Sequence, residues 1–176
     1  MEVERQFPVN GMTAPGVLDW LAGTSFSMYL RESLWTYPII ETVHVLTLCL
    51  FLGFTLLLDF RLLGMALRRV PAAEVVRRLE PGIAVGFAFM FASGALLFSG
   101  DPVKFYGSVF LRIKLGMILL AGVNLLIFHA TVYRGVQQWD RAAAIPARAR
   151  AAAIVSILLW CGVVAMGRAI AYLLPA

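Results

Sequence analysis

"WTYPIIETVHVLTLCLFLGF", residues 35–54, decides the fold. A helix that crosses a bilayer needs about 20 mostly apolar residues, because each residue rises about 1.5 Å through a hydrocarbon layer about 30 Å thick. This stretch is long enough, and the apolar run continues to Leu63. Trp35 and Tyr37 supply the amphipathic rings expected at a lipid–water boundary, and Pro38 suits the first turn of the helix that descends from it. Two residues interrupt the apolar run close to its start, Glu41 and His44.

The rest of the chain repeats the pattern. Its 176 residues are 61% hydrophobic and 14% charged, with a mean hydropathy of +0.84, whereas a soluble domain is about 45–50% apolar and about 25% charged. Further apolar blocks predict spans at about residues 82–99, 111–133 and 152–174, beside the first at about 38–63. The expected fold is therefore all-α: one domain, residues 38–176, forming a four-helix transmembrane bundle, preceded by an interfacial segment over residues 1–37. Residues 14–34 mix Trp20, Phe26 and Tyr29 with polar neighbours, the pattern of one or two short helices lying in the headgroup layer. The opening MEVERQFPVN is polar where a signal peptide would be basic and then apolar, so no cleaved leader is expected.

Charge gives the expected orientation. Nine of the fifteen basic residues fall in the connections between the first and second spans and between the third and fourth, among them Arg68, Arg69, Arg148 and Arg150. By the positive-inside rule these connections face the cytoplasm and both termini lie outside. The net charge of +5 is thus read as an orientation signal, and nucleic acid is not among the expected partners. Those are membrane lipid and either other membrane subunits or further copies of the chain. Val75–Leu79 forms a second amphipathic piece, expected on the inner surface.

Ionisable groups within hydrocarbon cost several kcal/mol and are candidate functional residues. Glu41 and His44, three apart, share a helix face about one turn below the outer surface, and Arg168 on the fourth span lies at a similar depth, with Lys114 nearby. One reading is a polar pocket in which Glu41 orients His44 and Arg168 holds an anion or a quinone oxygen. The other is an ion pair between Glu41 and Arg168 that fastens two spans. His129, the second of two histidines, also lies within a span. A neutral imidazole keeps a lone pair for a metal, so His44 and His129 are candidate metal ligands for haem b, a chlorin or copper, with His44, His129, Glu41 and Arg168 as the candidate cofactor-binding set. One haem clamped by both histidines is not expected, since their depths differ by roughly 13 Å at about 1.5 Å per residue. Met166 and Met65 are the nearest thioethers for two separate sites.

Other features point to packing. Asp59 and Arg61, two apart, do not face each other and are expected to snorkel or to touch neighbouring helices or lipid phosphate. Asn124 is expected to bond across a helix seam. Gly82, Gly86 and Ser93–Gly94 on the second span, with Gly162 and Gly167 on the fourth, mark seams where backbones approach closely. Trp160 at mid-span fills the core, and Cys49 and Cys161 act as small buried hydrophobes outside any disulfide framework. Neither a phosphate-binding glycine loop, nor a zinc-protease helix, nor a nucleophile elbow occurs.

The strings "RESLWTYPIIETVHVL", "DFRLLG", "NLLIFHA" and "GRAIAY" resemble a family of small bacterial inner-membrane proteins of unknown function, over about Trp20 to Tyr172. That resemblance implies the four-helix membrane domain. A looser likeness, span-borne histidines in a four-helix bacterial membrane protein, points toward cytochrome b561-like and copper-resistance D-like proteins. The resulting expectation is an inner-membrane subunit that binds a redox or pigment cofactor through an intramembrane histidine. The alternative is a structural or assembly subunit of a larger membrane complex.

Overall fold

The computed structural model describes residues 16–140 and 145–173. The polar opening of the chain and Arg141 lie outside the described residues. Two short helices, α1 (Gly16–Ala22) and α2 (Ser25–Glu32), precede four long ones. These are α3 (Thr36–Leu63), α4 (Ala72–Gly100), α6 (Val109–Ile127), which continues through a π-helical and a 3-10 turn to Gly135, and α8 (Ala147–Leu173). Small helices α5 (Pro102–Gly107) and α7 (Val136–Trp139) sit at the connections. No strand occurs among the described residues, and the four long helices are each apolar and long enough to cross a membrane. The chain is a multi-pass membrane bundle.

Local chemistry sets the boundaries. Pro38 lies in the first turn of α3, where its missing N–H costs nothing. Gly64 ends that helix in the left-handed conformation at φ 75°, and its N–H closes on the Arg61 carbonyl. The N-cap of α4 is Pro71, which has no side-chain acceptor. Asp140, from beyond the end of the third span, takes that role instead: its carboxylate accepts from the backbone N–H of Ala72 and, at 3.1 Å, of Ala73. Asp101 and Ser108 cap α5 and α6 by accepting from Lys104 N–H and Leu111 N–H.

The predicted seams are where the helices meet. A Cβ at Gly82 would lie 2.9 Å from the Phe54 ring, and one at Gly86 would lie 3.1 Å from Phe51 Cβ, so α4 lays its glycines against α3. Gly162 of α8 faces the Met117 thioether of α6, and Asn124 donates to the Ala152 carbonyl at 2.9 Å across the same seam. Helix α3 packs on α4 and α8, and α8 packs on α6, but no comparable packing joins α4 to α6. Trp160 meets the edge of Phe51 at 4.7 Å between centroids.

Three expectations are corrected. Val75–Leu79 does not lie on the surface as a separate piece: it is the start of α4, which runs on through Pro81, and Val75 and Val76 are buried. With Leu58, Leu62, Phe128, Val132 and Ala153 they form the largest apolar core, at the end that carries the arginine-rich connections. Helices of 28 and 29 residues are about 42 Å long and extend beyond the hydrocarbon. An apolar core forms where water again supplies a hydrophobic drive. Asp59 and Arg61 do not snorkel outward, since both are buried, whereas the expected contact with a neighbouring helix is made by Asp59 to Ser156. Cys49 and Cys161 are free thiols on exposed, lipid-facing helix surface and are not buried.

Candidate functional site

Opposite the arginine-rich end, one group from each long helix converges. His44 lies two turns into α3, and its Nδ1 is 2.8 Å from Ser93 Oγ of α4. The ring rests on Gly94, where a Cβ would come within 3.4 Å of His44 Cε1. Lys114 of α6 lays its Nζ against Gly167 of α8, 3.6 Å from where a Cβ would be, and is near enough to act electrostatically on His44. A methyl at Gly94 or Gly167 would meet these side chains at van der Waals distance, so both glycines line the site.

The hydrogen bonds fix which nitrogen of His44 is available. Ser93 has one hydroxyl proton, and its Oγ lies 2.7 Å from the Phe89 carbonyl one turn back. That carbonyl can only accept, so the hydroxyl donates to it and its oxygen accepts from His44 Nδ1–H. The neutral imidazole then presents an Nε2 lone pair, and Ser93 holds the ring in place, as outer partners hold metal- or substrate-binding histidines. No salt bridge engages the Lys114 ammonium among the described residues. Below the site, Phe51 lies on the same face of α3 seven residues on, and with Trp160 and Phe87 it forms an aromatic floor.

The expected trio does not come together as an ion-paired cluster. Glu41 is exposed, and no ion pair joins it to Arg168 among the described residues. Arg168 donates to the Tyr172 hydroxyl and stacks 4.5 Å above that ring, one turn along its own helix. Ser93 takes the role of orienting His44 that was expected of Glu41. The serine stands in "ASGA", residues 92–95, a run of small residues that points to a packing seam and not to a partner for histidine.

His129 sits elsewhere, in a π-helical turn, Phe128–Val132, at the arginine-rich end. Its Nδ1 lies 3.0 Å from the Leu125 carbonyl, and its Nε2 is 3.0 Å from Glu80 Oε1, off the line of a hydrogen bond. Both nitrogens therefore have protein neighbours, and the pair ties α4 to the third span on the side where those helices are otherwise unpacked. Phe128 and Tyr133 flank the ring. Also at this end, the Arg61 Nε donates to the Val70 carbonyl at 2.8 Å, with a terminal nitrogen 4.0 Å from Asp140. No group of three or more histidine, cysteine or carboxylate side chains is placed to hold a metal among the described residues.

The chain belongs to a family of unknown function, DUF6644, whose model matches residues 17–173. No curated protein and no solved structure matches it.

Proposed function

We propose that this is a bacterial inner-membrane protein, with its arginine-rich connections in the cytoplasm and both termini in the periplasm, that binds the oxygen-bearing ring of a quinone or quinol in its outer leaflet. The observation that carries this reading is the His44–Ser93 hydrogen bond beside Lys114. A quinol hydroxyl can donate to the His44 Nε2 lone pair, and the Lys114 ammonium can donate to a carbonyl oxygen or an anion. Below the site, Phe51 packs against Phe87 and Trp160, so the base of the site is apolar and aromatic.

Among the cofactors the sequence suggests, a haem, a chlorin or copper would also use His44 Nε2, as a single protein ligand. A nearby ammonium that acts on His44 suits an oxygen ligand better than a second cation, which favours the quinone. His129 falls outside this site because its ring is tied to Glu80 and Leu125.

The test is to purify the full chain in mild detergent, record its absorbance spectrum, analyse its metals and extract it with organic solvent for mass spectrometry. A quinone in near-stoichiometric amount, absent from His44→Ala, is the expected result. A colourless protein with neither quinone nor metal, recovered in fixed ratio with a partner protein, would reject it in favour of a structural subunit.

A further inference from the structure

We infer that Asp59 is a proton-binding site inside the bundle, reached from the arginine-rich end. The residue lies four positions before the end of α3, roughly 6 Å along the axis, and is 5% exposed. One carboxyl oxygen, Oδ2, is fully buried with no hydrogen-bond partner among the described residues. Among the described residues, the side chain bonded to the group is Ser156 of α8.

The surrounding polar groups are committed elsewhere. Thr55, one turn back on the same face, donates to the Phe51 carbonyl at 2.9 Å. Arg61 lies two residues on and faces Val70 and Asp140. On α4, Glu74 pairs with Arg77 and Arg78 at the exposed surface, and Glu80 pairs with His129. On α8, Arg148 and Arg150 are exposed, and on α6 Asn124 is bonded to the Ala152 carbonyl. No salt bridge joins Asp59 to a charged side chain among the described residues.

Three occupancies are chemically possible. A bare carboxylate would leave a buried, unpaired charge at a cost of several kcal/mol. A bound sodium ion would need several further oxygens, and no group of carboxylates gathers around Asp59 among the described residues. A proton neutralises the group without any further ligand, and the end of α3 at the arginine-rich side is one helical turn away. The site is separate from the His44 pocket and does not depend on what that pocket holds.

Dicyclohexylcarbodiimide tests this directly, because it is lipid-soluble and attacks carboxyl groups in their protonated form. The full chain in detergent is treated over a series of pH values, and the adducts are mapped by peptide mass spectrometry. The inference expects an adduct on Asp59 that declines on the alkaline side by roughly tenfold per pH unit, that is the same in sodium and choline chloride, and that is missing from Asp59→Asn. The wild-type map decides the matter alone if that variant does not accumulate. Failure of Asp59 to react at acid pH while other carboxyls do, labelling that stays constant with pH, or protection by sodium would each overturn it.

Discussion

His44 and His129 show how far one side chain can be read before its neighbours are known. Both are intramembrane imidazoles, yet His44 bonds to a hydroxyl that leaves Nε2 available, whereas His129 bonds its Nδ1 to its own helix and sets Nε2 3.0 Å from Glu80 of α4, off the line of a hydrogen bond. Sequence located both rings in depth, and the separation of their sites followed from helix rise alone. It did not show Ser93, Glu80 or Asp140 as partners, because partnership depends on which helices are adjacent and how each is rotated. We expect His129→Ala to lower thermal stability by under about 1 kcal/mol through the lost contact with half-exposed Glu80 while leaving ligand content at the His44 site unchanged. Extraction and a melting curve on the same sample check both halves. Asp140→Ala should cost about 1–2 kcal/mol by uncapping α4 and leaving Arg61 without its carboxylate. Asp140→Asn, which retains an acceptor for the cap, should cost less, and denaturant titration would resolve the two.

At the level of helices, apolar run length located all four spans, since a segment of that size has no alternative place to go. Their ends were less legible. Helix α4 begins ten residues before the expected start of its span at about 82, because its first turns lie outside hydrocarbon, carry charge and are capped from a distant part of the chain. Pro81 obscured the continuity: it removes one helical hydrogen bond but does not end the helix when packing on both sides holds it. The small-residue seams were legible, and their strictness differs in a testable way. At Gly86 a methyl would press on Phe51 Cβ at 3.1 Å and on its Cα at 3.4 Å, which cannot move alone. At Gly162 the obstacle is the end of the flexible Met117 side chain. We therefore expect Gly86→Ala to destabilise by about 1–3 kcal/mol and Gly162→Ala to cost under about 1 kcal/mol, measured by thermal unfolding in detergent.

For the whole molecule, the helices run α4, α3, α8, α6 around the bundle, with α4 and α6 joined mainly by Glu80–His129 and by short pieces at the ends. This order places His44, Ser93, Lys114 and Gly167 together, and no single span reveals it. The number of crossings was legible; the neighbour order was not, because two adjacent antiparallel pairs can associate by either of their sides. The proposed orientation makes its own prediction. In a background without Cys49 and Cys161, Met65→Cys should be shielded from an impermeant maleimide in intact cells, and Tyr106→Cys should react. The reverse pattern would invert the topology and move the His44 site to the inner leaflet. The central claim is that His44 and Lys114 bind a quinone ring, and titration of the purified chain with a short-chain benzoquinone by calorimetry tests it most directly. The account predicts saturable one-site binding that is lost in His44→Ala, weakened roughly tenfold or more in Lys114→Ala and unchanged in His129→Ala. Binding by His44→Ala equal to that of the unaltered chain, or none by the unaltered chain, would contradict it.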